Sequence, residues 1–205
     1  MNNKNIRNGT RLSPLAHVTD TIRIYLADSL LSYAFVDTAK VILNDSGKVT
    51  TPFDNITTGK YYIIVRHRNH LETWSKYGVN FSAGITTNYD FTTAANKAYG
   101  DNMKQVGSVW VLFGGDANQD GDINALEIPI FISQFGTQGY LSCDFNGDND
   151  VTGVDQQILI QNFGITVSRP GTLETTNPTR IKMPDANEIM KMIETNTRNN
   201  NNNKR

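Results

Sequence analysis

The polar and apolar positions of this chain fall into two regimes. From about His17 the pattern turns to strands, with the period of two expected of extended chain. Thr21-Ile-Arg-Ile-Tyr-Leu26 and Ala39-Lys-Val-Ile-Leu43 read as strands, and Lys60-Tyr-Tyr-Ile-Ile-Val-Arg66 is the strongest such run. Lys48-Val-Thr-Thr-Pro-Phe53, Leu71–Ser75, Val79–Ser82, Asn88–Thr92 and Ser108–Phe113 are predicted as further strands. Turns are expected at Asn44-Asp-Ser-Gly47 and around Thr57-Thr-Gly59. Strands separated by turn signals every ~8–12 residues predict a β-sandwich over about 17–113. Past Gly114-Gly115 the period changes. Phe131 and Phe135, then Leu159 and Phe163, lie four apart and predict two short helices, each stopped by a glycine, Gly136 and Gly164.

Each predicted helix follows the same twelve-residue pattern, repeated at an offset of 28. The first copy runs from Asp116 through Asn118, Asp120, Gly121, Asp122 and Asn124 to Glu127. The second runs from Asp144 through Asn146, Asp148, Asn149, Asp150 and Thr152 to Asp155. Oxygen-bearing side chains stand at positions 1, 3, 5, 9 and 12 of both. This is the ligand spacing of a calcium loop, in which position 7 lends its backbone carbonyl. Asp116, Asn118, Asp120 and Glu127 are therefore expected ligands of one ion, with the Asp122 carbonyl and Asn124. Asp144, Asn146, Asp148 and Asp155, with the Asp150 carbonyl and Thr152, are expected ligands of a second. The same offset pairs Ile130 with Ile158, Ile132 with Ile160 and Phe135 with Phe163, so the helices are duplicated along with the loops. Asn124 with Glu127, and Thr152 with Asp155, have capping-box spacing. Pro129 lacks the N–H that a helix interior needs and predicts a late or kinked first helix.

Charge sharpens this picture. The formal net charge is only −1, which indicates no nucleic-acid partner, yet no Lys or Arg lies between Lys104 and Arg169. That stretch holds eight acids, all at loop positions 1, 5, 7 and 12. Without cations they repel, so two Ca²⁺ ions are expected to couple to folding. No apolar run is long enough for a membrane span, and the first residues lack a signal-peptide apolar core. Residues 1–16 read as disordered. Residues 168–205 read as a polar tail with a possible short helix over 185–195.

An EF-hand has a helix before each loop, whereas Val109–Gly115 reads as strand and turn and Gly136–Cys143 as loop. A tandem loop–helix pair without entering helices, at about 114–167, resembles the dockerin module. Upstream, Phe53-Asp-Asn-Ile-Thr-Thr-Gly59-Lys-Tyr-Tyr-Ile-Ile-Val65 is similar to a stretch of prealbumin-like, carboxypeptidase-regulatory-like sandwiches. The fold class expected is thus mainly β with a small α part: a β-sandwich followed by two F-hand calcium repeats. The dockerin resemblance implies no catalysis, an extracellular or cell-surface setting linked to polysaccharide breakdown, and a cohesin-like protein partner. In that family loop positions 10 and 11 often hold a Ser-Thr-like pair. Here they are Ala125-Leu126 and Gly153-Val154. The alternatives are an accessory fragment anchoring a secreted hydrolase, a calcium-stiffened stalk and an EF-hand-like sensor.

Other chemistry-bearing residues have blander readings. His67 and His70 show His-x-x-His spacing, but in a continuous strand they would point to opposite faces. Cys143 is the only cysteine, with no disulfide partner in the chain, and is expected as a small buried apolar side chain. Trp74 and Trp110 are expected in the core.

Overall fold

The computed structural model describes residues 18–30, 32–44, 46–171 and 191. Residues 18–171 are mainly β as described, with two short α-helices toward the end of that stretch. Strands β1 (Val18–Asp28), β2 (Phe35–Asn44), β3 (Gly59–His67) and β4 (His70–Trp74) form an antiparallel sheet in the order β2-β1-β3-β4. The short β5 (Val79–Phe81) adds to the start of β3, so that Gly59 faces Phe81 and Tyr61 faces Val79. A hairpin of β6 (Lys104–Val106) and β7 (Val109–Val111) is separate from that sheet. The arrangement is consistent with a β-sandwich.

Alternation along β1 and β3 explains how both faces of the sheet become apolar. Ile22, Ile24, Ile63 and Val65 join one core with Leu43, Phe91, Ala98, Met103 and Leu112. Ile64, Ala27 and Trp74 form a second cluster, with Tyr25, Tyr33, Tyr62 and Tyr99 packed around them. The register pairs Ile24 with Val65 and Leu26 with Ile63, which keeps matched side chains on the same face.

Two predicted strands are absent. Lys48–Phe53 forms no ladder. Pro52 has no N–H to give one, and Val49 and Phe53 instead lie against the first core. Asn88–Thr92 also forms no strand. Its end is a 3₁₀ turn over Phe91–Thr93, because the Asp90 carboxylate accepts from the Thr92 N–H and caps the turn. Strand β6 was not predicted. The helix expected over 185–195 lies outside the described residues except for Lys191.

The helices are α1 (Glu127–Gln134) and α2 (Gly153–Asn162). Their core is assembled from residues 28 apart: Ala117 with Phe145, Ile123 with Val151, and Phe131 with Leu159, together with Cys143. Leu71 of β4 completes it. Strand β4 therefore has sheet on one side and the loop–helix pair on the other, and all five of its residues are buried. Phe135, the second member of its predicted stripe, is largely exposed.

Candidate metal centre

The two loops are built as a symmetric pair. The Ile123 N–H donates to the Ile165 carbonyl and the Gly164 N–H returns to Ile123. At the matched positions the Val151 N–H donates to Thr137 and the Gly136 N–H to Val151. Each loop is thus bonded at its eighth position to the chain leaving the other loop's helix. Ile123 and Val151 are both fully buried, so their backbone groups need these partners. Gly136 and Gly164 take positive φ as they end α1 and α2.

Within each loop the turns are also matched. Position 6 is left-handed in both, at Gly121 (φ 94°) and Asn149 (φ 76°), so asparagine does here what glycine does in the first copy. Asn118 Oδ1 accepts from the Asp120 N–H and Asn146 Oδ1 from the Asp148 N–H, each at 2.9 Å. Asp120 accepts from the Asp122 N–H at 2.9 Å, and Asp148 from the Asp150 N–H at 3.0 Å. Together with the Gly121 N–H donating to Asp116 and the Gly147 N–H donating to Asp144, these bonds curl positions 1 to 7 of each loop.

The helix starts differ. Thr152 caps α2 in a capping box: its hydroxyl accepts from the Val154 N–H, and Asp155 accepts from the Thr152 N–H. Asn124 and Glu127 make the same reciprocal bonds. Yet α1 begins only at Glu127, two residues later than the counterpart of α2. Pro129 falls in the first turn, where its missing N–H costs nothing, and the helix starts late as expected.

The carboxylates reveal a larger difference. In the first loop Asp116, Asp120 and Glu127 each bring an oxygen to within 4.8 Å of the others. Asp116 is 2% exposed and Glu127 0% exposed. Asp116 Oδ1 and Glu127 Oε1 are buried without hydrogen-bond partners. Burial, reinforced by the Asp120 charge, pushes the Asp116 carboxyl up to about 6. Burial also pushes Glu127 up to about 7, with Asp120 and Asp116 adding to the shift. The other oxygen of each is bonded, Asp116 Oδ2 to the Gly121 N–H and Glu127 Oε2 to the Asn124 N–H, so one buried oxygen apiece is what a hard cation would relieve.

The second loop is more nearly satisfied. Asp155 Oδ1 accepts from the Phe145 and Asn146 N–H groups at 2.8 and 3.1 Å, and Oδ2 from Thr152 at 2.9 Å. Asp144 Oδ1 accepts from Gly147 and Asp148, and Oδ2 from Asn149. Burial still raises both carboxyls, but the Arg68 charge pulls Asp144 back.

The other candidates resolve into structure. His67 and His70 are not on opposite faces of one strand. The chain turns between them at Arg68-Asn69, which places them as cross-strand partners with Nδ1 atoms 2.8 Å apart. His67 Nε2 lies 2.9 Å from Asp20 Oδ2. Burial drives His70 well below the usual imidazole range. Burial likewise raises Asp20, but its hydrogen bond to His67 and the His67 charge outweigh that and hold the carboxyl low. Cys143 is fully buried, and burial pushes its thiol up to about 12, which suits packing and not nucleophilic chemistry. Trp74 is in the core. The contact of Arg68 and Asn69 with the second loop was not foreseen from the residues, since these groups lie some 75 residues apart from Asp144. Among the described residues no helix is long and apolar enough to cross a membrane.

No protein-family model matches the chain, and no curated protein matches it either. Among solved structures it is similar to a chain of a type II cohesin–X–dockerin complex from Acetivibrio cellulolyticus, an N-terminal interface mutant. The identity is 18%, covering 77% of this chain and 89% of that one, with a TM-score of 0.44. The C-terminal interface mutant of that complex is 16% identical, covering 78% and 92%, also at 0.44. A likeness of this size brings neither ligand nor partner to this chain, whose reading rests on its own residues.

Proposed function

We propose that this chain is a non-catalytic, calcium-dependent attachment module in which a dockerin-like loop–helix pair is seated on a β-sandwich. The observation that carries the reading is the first loop. Three carboxylates converge there, and two of their oxygens are buried with nothing to bond. Asp116, Asp120 and Glu127 would hold one Ca²⁺, with Asn118, Asn124 and the Asp122 carbonyl. Asp144, Asn146, Asp148, Asp155, Thr152 and the Asp150 carbonyl would hold a second. Each ion offsets acidic charge that the loops otherwise confine. The F-hand spacing and the dockerin resemblance support an extracellular setting, where calcium is abundant.

Attachment is supported by the outer ends of the two helices. Leu126 is 60% exposed and Val154 51%, at the same loop position in both copies. Two apolar side chains related by the duplication suit an apolar patch on a protein partner, and the resemblance makes a cohesin-like domain the first to test. Calorimetric titration of the whole chain should show two equivalents of calcium, and Asp116→Ala should lose one. An immobilised cohesin domain should retain the chain in calcium and release it in EGTA, with Leu126→Asp and Val154→Asp weakening retention. Absence of calcium uptake would refute the metal reading. Calcium uptake with no retention of the chain would refute the cohesin-like assignment alone.

A further inference from the structure

The second loop is not a free-standing copy of the first, because an arginine from the sandwich reaches into it. Arg68 lies in the turn between β3 and β4. Its Nη2 is 3.3 Å from the Asp144 carbonyl and 3.4 Å from Asp144 Oδ2. The guanidinium stacks on the Tyr140 ring at 4.1 Å, and its Nε is 3.5 Å from Asp20 Oδ2. The Tyr140 hydroxyl donates to Asp20 Oδ1 at 2.7 Å, and Asn69 Nδ2 donates to the Asp144 carbonyl at 2.6 Å. The arginine is thus gripped by a ring, a carboxylate and the loop itself, and is mostly buried.

We infer that Arg68 regulates the second loop, making it the weaker and later-filling of two calcium sites. This rests on the calcium reading above. A guanidinium keeps its charge at any relevant pH. A cation entering the second loop meets that like charge and must draw the first-position carboxylate away from it. Both first-position carboxylates feel the fifth-position anion of their own loop, Asp120 or Asp148, but Asp144 also has a guanidinium 3.4 Å away and Asp116 has no such partner among the described residues. The twelfth position points the same way. Asp155 has backbone N–H donors on both oxygens, whereas Glu127 keeps one oxygen unbonded. Calcium in the second loop therefore trades against the contact between loop and sandwich, and filling it loosens Arg68 from Asp144.

The test is calorimetric calcium titration of the full chain. Asp144→Ala reports the first loop and Asp116→Ala the second. The first is expected to be tighter by at least about tenfold, a difference of about 1.4 kcal/mol. In the Asp116→Ala background, Arg68→Met and Arg68→Gln remove the charge and should tighten calcium binding, while Arg68→Lys should keep it weak. A gain in affinity is not what a merely structural lesion produces, and circular dichroism identifies any variant that fails to fold. The comparison of Asp144→Ala with Asp116→Ala needs no arginine variant and stands even if those variants do not fold. Equal affinities in the two loops, or unchanged or weaker binding after loss of the charge, would overturn the inference while leaving the calcium reading intact. No calcium uptake by the unmodified chain would remove both.

Discussion

The two loops share spacing, turns and mutual hydrogen bonds, yet their carboxylates are in different states. In the first loop the acids face one another, with Asp116 and Glu127 each keeping a buried oxygen unbonded. In the second they are distributed among backbone N–H groups and an arginine. The cause lies partly inside the loop, where Asp155 and Asp144 accept from their own loop's backbone N–H groups, and partly outside it, where Arg68 reaches Asp144. The second loop lies against Arg68 and Asn69, whereas the first meets the β3–β4 turn through Gly115 and the Gln119 side chain. Ligand spacing specifies which oxygens are available. The loop's folded backbone and its neighbours together decide how strongly they are already engaged.

The comparison can be broken most severely in the core. Phe145 occupies the position that Ala117 holds in the first copy. Phe145→Ala would make the copies alike there and should cost about 3–5 kcal/mol, read from denaturant unfolding, because the neighbours close the space only in part. A negligible cost would mean that the duplicated core does not bear on stability.

Calcium itself comes next. At a free concentration one hundred times the dissociation constant, a single site adds about 2.7 kcal/mol. For a chain of this size that is a rise in Tm of about 5–10 °C over EGTA. Asp116→Ala should remove more of the rise than Asp144→Ala, and a melt indifferent to EGTA would contradict coupling of the ion to the fold.

Acidity should sharpen the difference between the loops further. Asp116 and Glu127 have folded pKa values raised to about 6 and about 7. A raised carboxyl favours the folded state when protonated, so without calcium that stability is present below the ordinary carboxylate range and is lost as pH rises through 6 and 7. Calcium needs the ionised form, so its affinity for the first loop should fall about tenfold as pH drops from 8 to 6. Melting in EGTA across pH 5–8 should show the opposite trend to melting in calcium. Parallel curves would show that these two carboxyls do not govern the loop.

The smallest effect concerns the helix starts. Thr152→Ala removes the cap of α2 and should cost about 1 kcal/mol in unfolding experiments in EGTA. A value near zero would indicate that the Asp155 bonds to Phe145, Asn146 and Thr152 position the second loop without the cap.

Much of the local structure was legible because it depends on near neighbours. The alternation over Lys60–Arg66 gives β3, Asn149 accepts the left-handed turn, and Pro129 delays α1. Where period two misled, at Lys48–Phe53 and Asn88–Thr92, apolar residues cover a core without ladder partners, and alternation alone cannot distinguish that use from a strand. The reading of His67 and His70 failed for a related reason. A turn at Arg68-Asn69 reverses the chain between them, and no Gly or Pro marks it.

The sequence by itself determined the duplicated loops, the residue types that would meet a cation, the longer strands and the two helices that follow the loops. All of these follow from spacing within a few turns of chain. Only the tertiary structure decided that Leu71 completes the core of the loop–helix pair, that each loop is bonded across to the other's exit, and that Arg68 stands beside Asp144. Those contacts join residues far apart in the chain, and charge and burial act through space, not along the backbone. Two loops that match in the sequence can therefore differ in the fold.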